Sequence, residues 1–214
     1  VSELAGEAVW TIIVAAGSGN RFGGQKQFML LGDKRVIDWS RDVAHSIGDG
    51  VVLVVPADVA DTEGGVAGGA TRSESVRRGL AAVPSEATII CVHDAARPFA
   101  SEHLYKEVVA AVAGGADGAV PGLHVTDTIK RVDSGGVVLD TPDRSSLVAV
   151  QTPQAFRAEV LRKAHESGTE GTDDASLVER AGGKVVVVNG EAINKKLTSP
   201  EDLEWARAMA ATEI

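Results

Sequence analysis

The sequence is short of cysteine, of positive charge and of long apolar runs, and each shortage excludes something. Its 214 residues include a single cysteine, Cys91, so an internal disulfide and a cysteine metal cluster are both excluded. The formal net charge is −9, which argues against a nucleic-acid partner, because such proteins carry a basic face. An anionic ligand must then be captured by local cations against a repulsive overall field. No apolar run approaches the length of a membrane span, and the polar, acidic residues before Val9 do not read as a signal peptide. No membrane partner is expected, and the cytoplasm is the expected location. With 44% apolar and 24% charged residues, the chain has ordinary globular composition. It is long enough for one large α/β domain.

Two nucleotide fingerprints are also missing. The stretch from Thr11 to Phe28, TIIVAAGSGNRFGGQKQF, opens with the apolar run Ile12–Ala16 and turns at Gly17-Ser18-Gly19. A P-loop would place lysine where Gln25 stands. A dinucleotide fingerprint would place a third glycine where Phe22 stands, and an acid at the end of the next strand. What is present is a buried strand, a glycine turn whose backbone a ligand can approach closely, and two cations, Arg21 and Lys26. Exposed N–H groups in such a turn make an anion nest, so the stretch reads as a phosphate cradle at the carboxyl end of the first strand.

The rest of the chain alternates strands and helices. Helical spacing predicts a helix over about Val36–Ser46, and Val51–Val55 is a second buried strand. Thr71-Arg72-Ser73-Glu74 reads as a capping box opening a helix with Val76, Leu80 and Val83 inward. Ala87–Val92 is the next strand, ending in His93-Asp94-Ala95-Ala96-Arg97-Pro98. Groups just past a parallel strand's carboxyl end face the ligand crevice. Asp94 there suits Mg²⁺ or serves as a loop carboxylate. His93 reads as a ligand, a base or, the favoured role, packing beside the strand end, and Cys91 as core. A helix from Ser101 to Val112 and a short strand, Ala119-Val120-Pro121, follow. Val125–Val132 then alternates, turns at Asp133–Gly136 and returns as Val137–Asp140, an antiparallel hairpin. We read it as an arm over about 125–150, continuing through Gln151-Thr152-Pro153-Gln154. A helix over Arg157–Glu166, a helix with Leu177 and Val178 inward, a strand over Lys184–Val188 and a terminal helix capped by Ser199-Pro200 complete the chain. The expected fold is α/β: a Rossmann-like, mostly parallel sheet with helices on both faces and an inserted β-hairpin arm, one domain over residues 1–214.

Val14-Ala15-Ala16-Gly17-Ser18-Gly19-Asn20-Arg21 with Lys26-Gln27-Phe28 resembles the nucleoside-triphosphate loop of nucleotidyltransferases. Further segments narrow the resemblance: Gly68–Val76, Val92–Pro98, Asp127–Lys130, Arg144, Gln151–Gln154, Thr172–Ser176 and Lys196–Leu203. Together they are similar to the 2-C-methyl-D-erythritol 4-phosphate cytidylyltransferase family of the non-mevalonate isoprenoid pathway, whose fold is of nucleotide-diphospho-sugar transferase type. Departures stand at Val14 and Gln25, where prolines are usual, and at Ala70, where a polar residue is common.

The resemblance implies attack by a polyol phosphate on the α-phosphorus of CTP, with pyrophosphate leaving. A phosphate monoester is already anionic near neutrality, its second pKa being about 6, so no general base is required. It implies that Arg21 and Lys26 stabilise the α-phosphate, that Asp94 holds Mg²⁺, and that Arg144 and Lys196 position the attacking phosphate. Ala15, Ala16, Gly17, Ser18 and Gly19 would cover ribose and phosphates, with Gly69, Ser75 and Ala95 completing the nucleotide contacts. Arg97, Thr128, Thr152 and Thr172 would hold the polyol phosphate, 2-C-methyl-D-erythritol 4-phosphate. Taken singly, each cation also reads as surface charge; their joint occurrence in family order argues for a site. The alternatives are a ribitol 5-phosphate cytidylyltransferase and a non-catalytic nucleotide-binding module. The arm, unable to bury its apolar residues alone, implies a homodimer.

Overall fold

In the computed structural model, which describes residues 6–17 and 24–211, the apolar runs become neighbouring strands of one sheet. In chain order the elements are β1 (Val9–Val14), β2 (Leu30–Leu31), β3 (Lys34–Arg35), α1 (Val36–Ile47), β4 (Gly50–Val55), α2 (Ala60–Glu63), β5 (Val66–Ala67), α3 (Arg72–Ala82), β6 (Ile89–Asp94), α4 (Glu102–Ala113), β7 (Gly118–His124), β8 (Arg131–Val132), β9 (Val138–Asp140), β10 (Val148–Val150), β11 (Gln154–Arg157), α5 (Ala158–Glu166), α6 (Asp174–Arg180), β12 (Val185–Asn189) and α7 (Pro200–Ala210).

The large sheet runs β10-β7-β11-β6-β1-β4-β5, with β12 also paired to β7. β1 is parallel to β4 and β6, and β12 is parallel to β7, while β10 and β11 run antiparallel. The sheet is therefore mostly parallel, as expected. Its central strands β1, β4 and β6 are largely apolar because both faces are covered there. Ile13, Leu53 and Val55 pack against α1 and α4. Their neighbours Ile12, Val52 and Val54 point the other way, against α3, α5 and α6. Burying each such side chain contributes roughly 1.5–3 kcal/mol. A third cluster lies at one end, where Leu203 and Ala206 of α7 cover Leu31, Val36 and Leu197.

Three expectations change. The predicted strand over Val125–Val132 is paired only at Arg131 and Val132, opposite Asp140 and Val138 across a bulge. Its alternation is genuine, but the returning strand is only three residues long. Residues at the end of the predicted arm belong to the sheet instead: β10 pairs with β7. Gln154 and Ala155 lie in β11, between β6 and β7. The sequence Gln-Ala-Phe-Arg has no apolar run to announce this strand, because its pairing partners are distant in the chain. Finally, the capping box of α3 is half formed. Thr71 accepts from the Glu74 N–H at 3.0 Å, but the Glu74 carboxylate accepts from Ala70 N and pairs with Arg78.

Candidate active site

The sheet register sets the floor of the site. Val14, the last residue of β1, is level with Asp94 of β6 and Val54 of β4. Ala15 N donates to Val54 O at 2.7 Å, and Ala95 N to Val14 O at 3.1 Å. Two chains thus leave the sheet side by side at its carboxyl edge, where parallel sheets bind ligands. A cavity of about 650 Å³ opens there. On one wall, Gly68 lies against Ala16 so closely that a Cβ at Gly68 would stand 2.1 Å from that of Ala16. A Cβ at Gly17 would meet nothing within 4 Å, so a side chain there would take up cavity space.

The electrostatics centre on Asp94. Its Oδ2 is 2.6 Å from Lys196 Nζ, and its Oδ1 accepts from Arg72 Nε at 3.2 Å. Burial alone would raise the Asp94 carboxyl. Arg72 and then Lys196 outweigh it and hold it well below the usual carboxylate range. Arg72 also reaches the fully buried Asp174, Nη1 to Oδ2 at 2.7 Å. Burial opposes its charge, and Asp174 and Asp94 more than restore it. Asp174 in turn meets His165 Nε2 at 3.0 Å. A continuous polar chain therefore runs from His165 through Asp174, Arg72 and Asp94 to Lys196. Cutting one member of a buried charge pair costs roughly 3–5 kcal/mol.

His93, behind Asp94, is no base. It is fully buried, its Nε2 meets Arg97 O at 3.1 Å and its Nδ1 meets Thr152 Oγ1 at 3.2 Å. Burial pushes its pKa down to about 4, against the pull of Asp94, so it is neutral near pH 7. On the opposite side, Lys26 Nζ donates to the Leu197 carbonyl, joining the first loop to the segment that carries Lys196.

Many of the expected residues converge here. Ala15, Ala16 and Gly17, the two lysines, and Asp94 with Ala95 line the cavity, as do Gly69 and Ser75 across from them. Ser75 shapes its loop, accepting from Gly69 N at 3.0 Å and donating to Thr71 O at 2.9 Å. Thr152 is buried beneath, accepting from Asp94 N. Arg97 turns to the main chain, donating to Asn194 O at 2.8 Å, and does not line the cavity. Thr128, Arg144 and Thr172 are exposed and do not line it; Arg144 donates to Thr126 O. Ser18, Gly19 and Arg21 lie outside the described residues.

Arg72 and Thr198 also line the cavity, and sequence reasoning passed over both. A signal existed for Arg72: it is the first residue of α3, where the helix dipole disfavours a cation, so its place there needs another reason.

Among the described residues, no group of three His, Cys, Asp or Glu could hold a metal ion, and Asp94 is the carboxylate lining the cavity. That donor set fits Mg²⁺, which binds through one or two carboxylates together with substrate phosphates.

Comparison with known proteins follows the geometry. A family model for 2-C-methyl-D-erythritol 4-phosphate cytidylyltransferase (IspD) matches residues 9–212. The 2-C-methyl-D-erythritol 4-phosphate cytidylyltransferase of Nocardia farcinica is 39% identical over 94% of each chain. The bifunctional enzyme IspD/IspF of Nitratidesulfovibrio vulgaris (strain DP4) is 43% identical over 91% of this chain; the match spans 56% of that longer enzyme. Among solved structures, the 4-diphosphocytidyl-2C-methyl-D-erythritol synthase of Anaerococcus prevotii superposes with a TM-score of 0.87 at 30% identity, covering 99% of each chain.

Proposed function

The chain belongs to the 2-C-methyl-D-erythritol 4-phosphate cytidylyltransferase family, and from that premise we propose that it forms CDP-methylerythritol and pyrophosphate from CTP and 2-C-methyl-D-erythritol 4-phosphate. The observation that carries the reading is the convergence of Lys26, Lys196 and Arg72 around Asp94 in one cavity. On a chain of net charge −9, that convergence supplies the local cations a triphosphate requires.

An oxygen of the polyol phosphate forms a bond to the α-phosphorus of CTP. The bond from that phosphorus to the bridging oxygen breaks, and pyrophosphate leaves with the electron pair. The attacking group is already ionised, so no proton has to move, which agrees with a neutral, doubly engaged His93. Catalysis then rests on alignment and on charges placed in advance. Lys26 and Arg21 would stabilise the charge building on the α-phosphate and its leaving group. Lys196 would position the attacking phosphate. Asp94 would hold Mg²⁺, which, when bound, neutralises triphosphate charge. The turn at Ala15–Gly17 would lie under ribose and phosphates, with Gly69 beside the base.

We also propose one catalytic domain whose arm serves a second copy in a homodimer. The arm exposes Val137, Val138 and Leu139 by half or more, and it carries Thr128 and Arg144, expected polyol-phosphate residues that do not line the cavity of their own chain. Packing against a twofold mate would cover the apolar side chains and bring those residues to the mate's cavity. CTP is a cytoplasmic metabolite, which supports a cytoplasmic site of action.

The test is pyrophosphate release, with each nucleoside triphosphate against each polyol phosphate. CTP with 2-C-methyl-D-erythritol 4-phosphate and Mg²⁺ should be the best pair. A preference for ribitol 5-phosphate would overturn the substrate, and CTP binding without turnover would overturn the enzyme.

A further inference from the structure

Both lysines of the cavity depend on one short stretch, residues 195–199. Lys196 sends its own ammonium to Asp94, and the carbonyl of Leu197 holds the ammonium of Lys26. The stretch is neither helix nor strand, so no ladder of backbone bonds fixes it. Two anchors do. Leu197 buries its side chain completely in the cluster under α7 and donates its N–H to Ala96 O at 2.8 Å. The second anchor is Asp202. Its Oδ2 accepts from Thr198 N at 2.7 Å, Thr198 Oγ1 at 2.8 Å and Ser199 N at 2.9 Å. Its Oδ1 lies 2.6 Å from Lys195 Nζ.

A carboxylate at the third position of a helix needs only the N-cap N–H to complete a capping box. Asp202 has that bond, to Ser199. Its bonds to Thr198 and Lys195 reach back beyond the cap into the loop, and helix capping does not account for them. The carboxylate is almost wholly buried and is not part of the cavity lining. Its pKa is held far below the usual range: burial opposes the charge, but Lys195 and the Thr198 and Ser199 donors outweigh it. It is therefore a permanently charged, water-shielded acceptor on which several donors of the loop converge.

We infer that Asp202 is a positioning residue: it sets the path of residues 195–199, and through that path places the Lys196 ammonium and the Leu197 carbonyl that orients Lys26. The inference rests on the proposed reading of those lysines as phosphate ligands. Asp202 itself touches no substrate.

The experiment compares Asp202→Ala and Asp202→Asn with Ala206→Gly. Ala206 is fully buried in the same helix, and glycine there weakens the helix and its packing over Leu197 while leaving every bond of Asp202 in place. Melting temperature and kcat for pyrophosphate release from CTP and 2-C-methyl-D-erythritol 4-phosphate are measured for each. Ala206→Gly should lower the melting temperature while keeping kcat within about threefold of the parent. The Asp202 variants should lose ~10–100-fold in kcat, as supporting residues of a charged site do, at a matched loss of melting temperature. If Asp202→Ala fails to fold, Asp202→Asn carries the same comparison. Asp202 variants that lose no more kcat than Ala206→Gly would overturn the positioning role alone. A parent protein that releases no pyrophosphate would overturn the proposed function and this inference with it.

Discussion

The floor of the cavity and the arm are opposites in how they are held. On the floor, Asp94, Thr152 and Asp174 are buried, and each is bonded to residues far away in sequence, up to 102 positions apart for Arg72 with Asp174. The arm's hairpin, Val125 to Asp140, has a two-pair ladder and surface contacts such as Arg131–Asp140. Exposed pairs of that kind contribute ~0–1 kcal/mol, and Val137 stands 63% exposed. The floor is therefore a structure the chain completes by itself. The arm carries the proposed polyol-phosphate residues without a core of its own, and the proposed second copy would supply one.

The largest expected effect tests the floor. Lys26→Ala should lower kcat for pyrophosphate release by ~10²-fold or more, the loss typical of one charge stabiliser placed in advance, while the melting temperature hardly moves. Near-normal turnover would reduce Lys26 to a staple between two loops.

A pH titration probes the burial that separates the floor from the arm. The folded His93 takes up a proton only near pH 4, whereas an unfolded histidine does so near 6.5. Between those values the unfolded state binds more protons, so stability falls as pH falls, and above the window the effect vanishes. The shift corresponds to roughly 3 kcal/mol across the window. Urea midpoints of metal-free protein from pH 7 to 4 should show the decline, and His93→Gln should flatten it. An unchanged slope in that variant would mean that some other group sets the acid limb.

The smallest signal is a recovery, and it tests the arm. Lys26→Ala and Arg144→Ala should each be nearly inactive alone. Refolded together in equal amounts, about half of the dimers are mixed. Each mixed dimer would unite an intact Lys26 and an intact Arg144 in one of its two sites. Activity should return to about a quarter of the parent's. Verified mixed dimers with no recovery would mean that the arm serves its own chain.

What the sequence disclosed follows the same division. The strands β1, β4 and β6, the helices against them and the loops at their ends were legible, because each is a contiguous word: an apolar run, a glycine turn, HDAARP. Lys26, Asp94 and Lys196 could be named because they stand inside such words. Arg72, Asp174 and Asp202 stand inside words too, but their importance lies in partners that only folding supplies. Asp202 reads as an ordinary first-turn acid until its bonds to Thr198 and Lys195 are seen. β11 was hidden for a related reason, since its four residues are a strand only because β6 and β7 flank them. The arm's alternation overstated its pairing, because alternation reports a side-chain pattern and not the length of the opposite strand.

Every cation described at the cavity already holds an oxygen of the protein: Lys196 that of Asp94, Arg72 those of Asp94 and Asp174, Lys26 that of Leu197. Asp94 takes one of the three donors of the Lys196 ammonium, so an arriving phosphate oxygen meets a charge already partly answered. The free energy released is then less than that of a bare ammonium meeting a phosphate. That keeps the grip on a multiply charged ligand moderate. In the proposed reaction it would also give the lysines somewhere to return when pyrophosphate leaves, so that the strongest charges in the site would not trap the product.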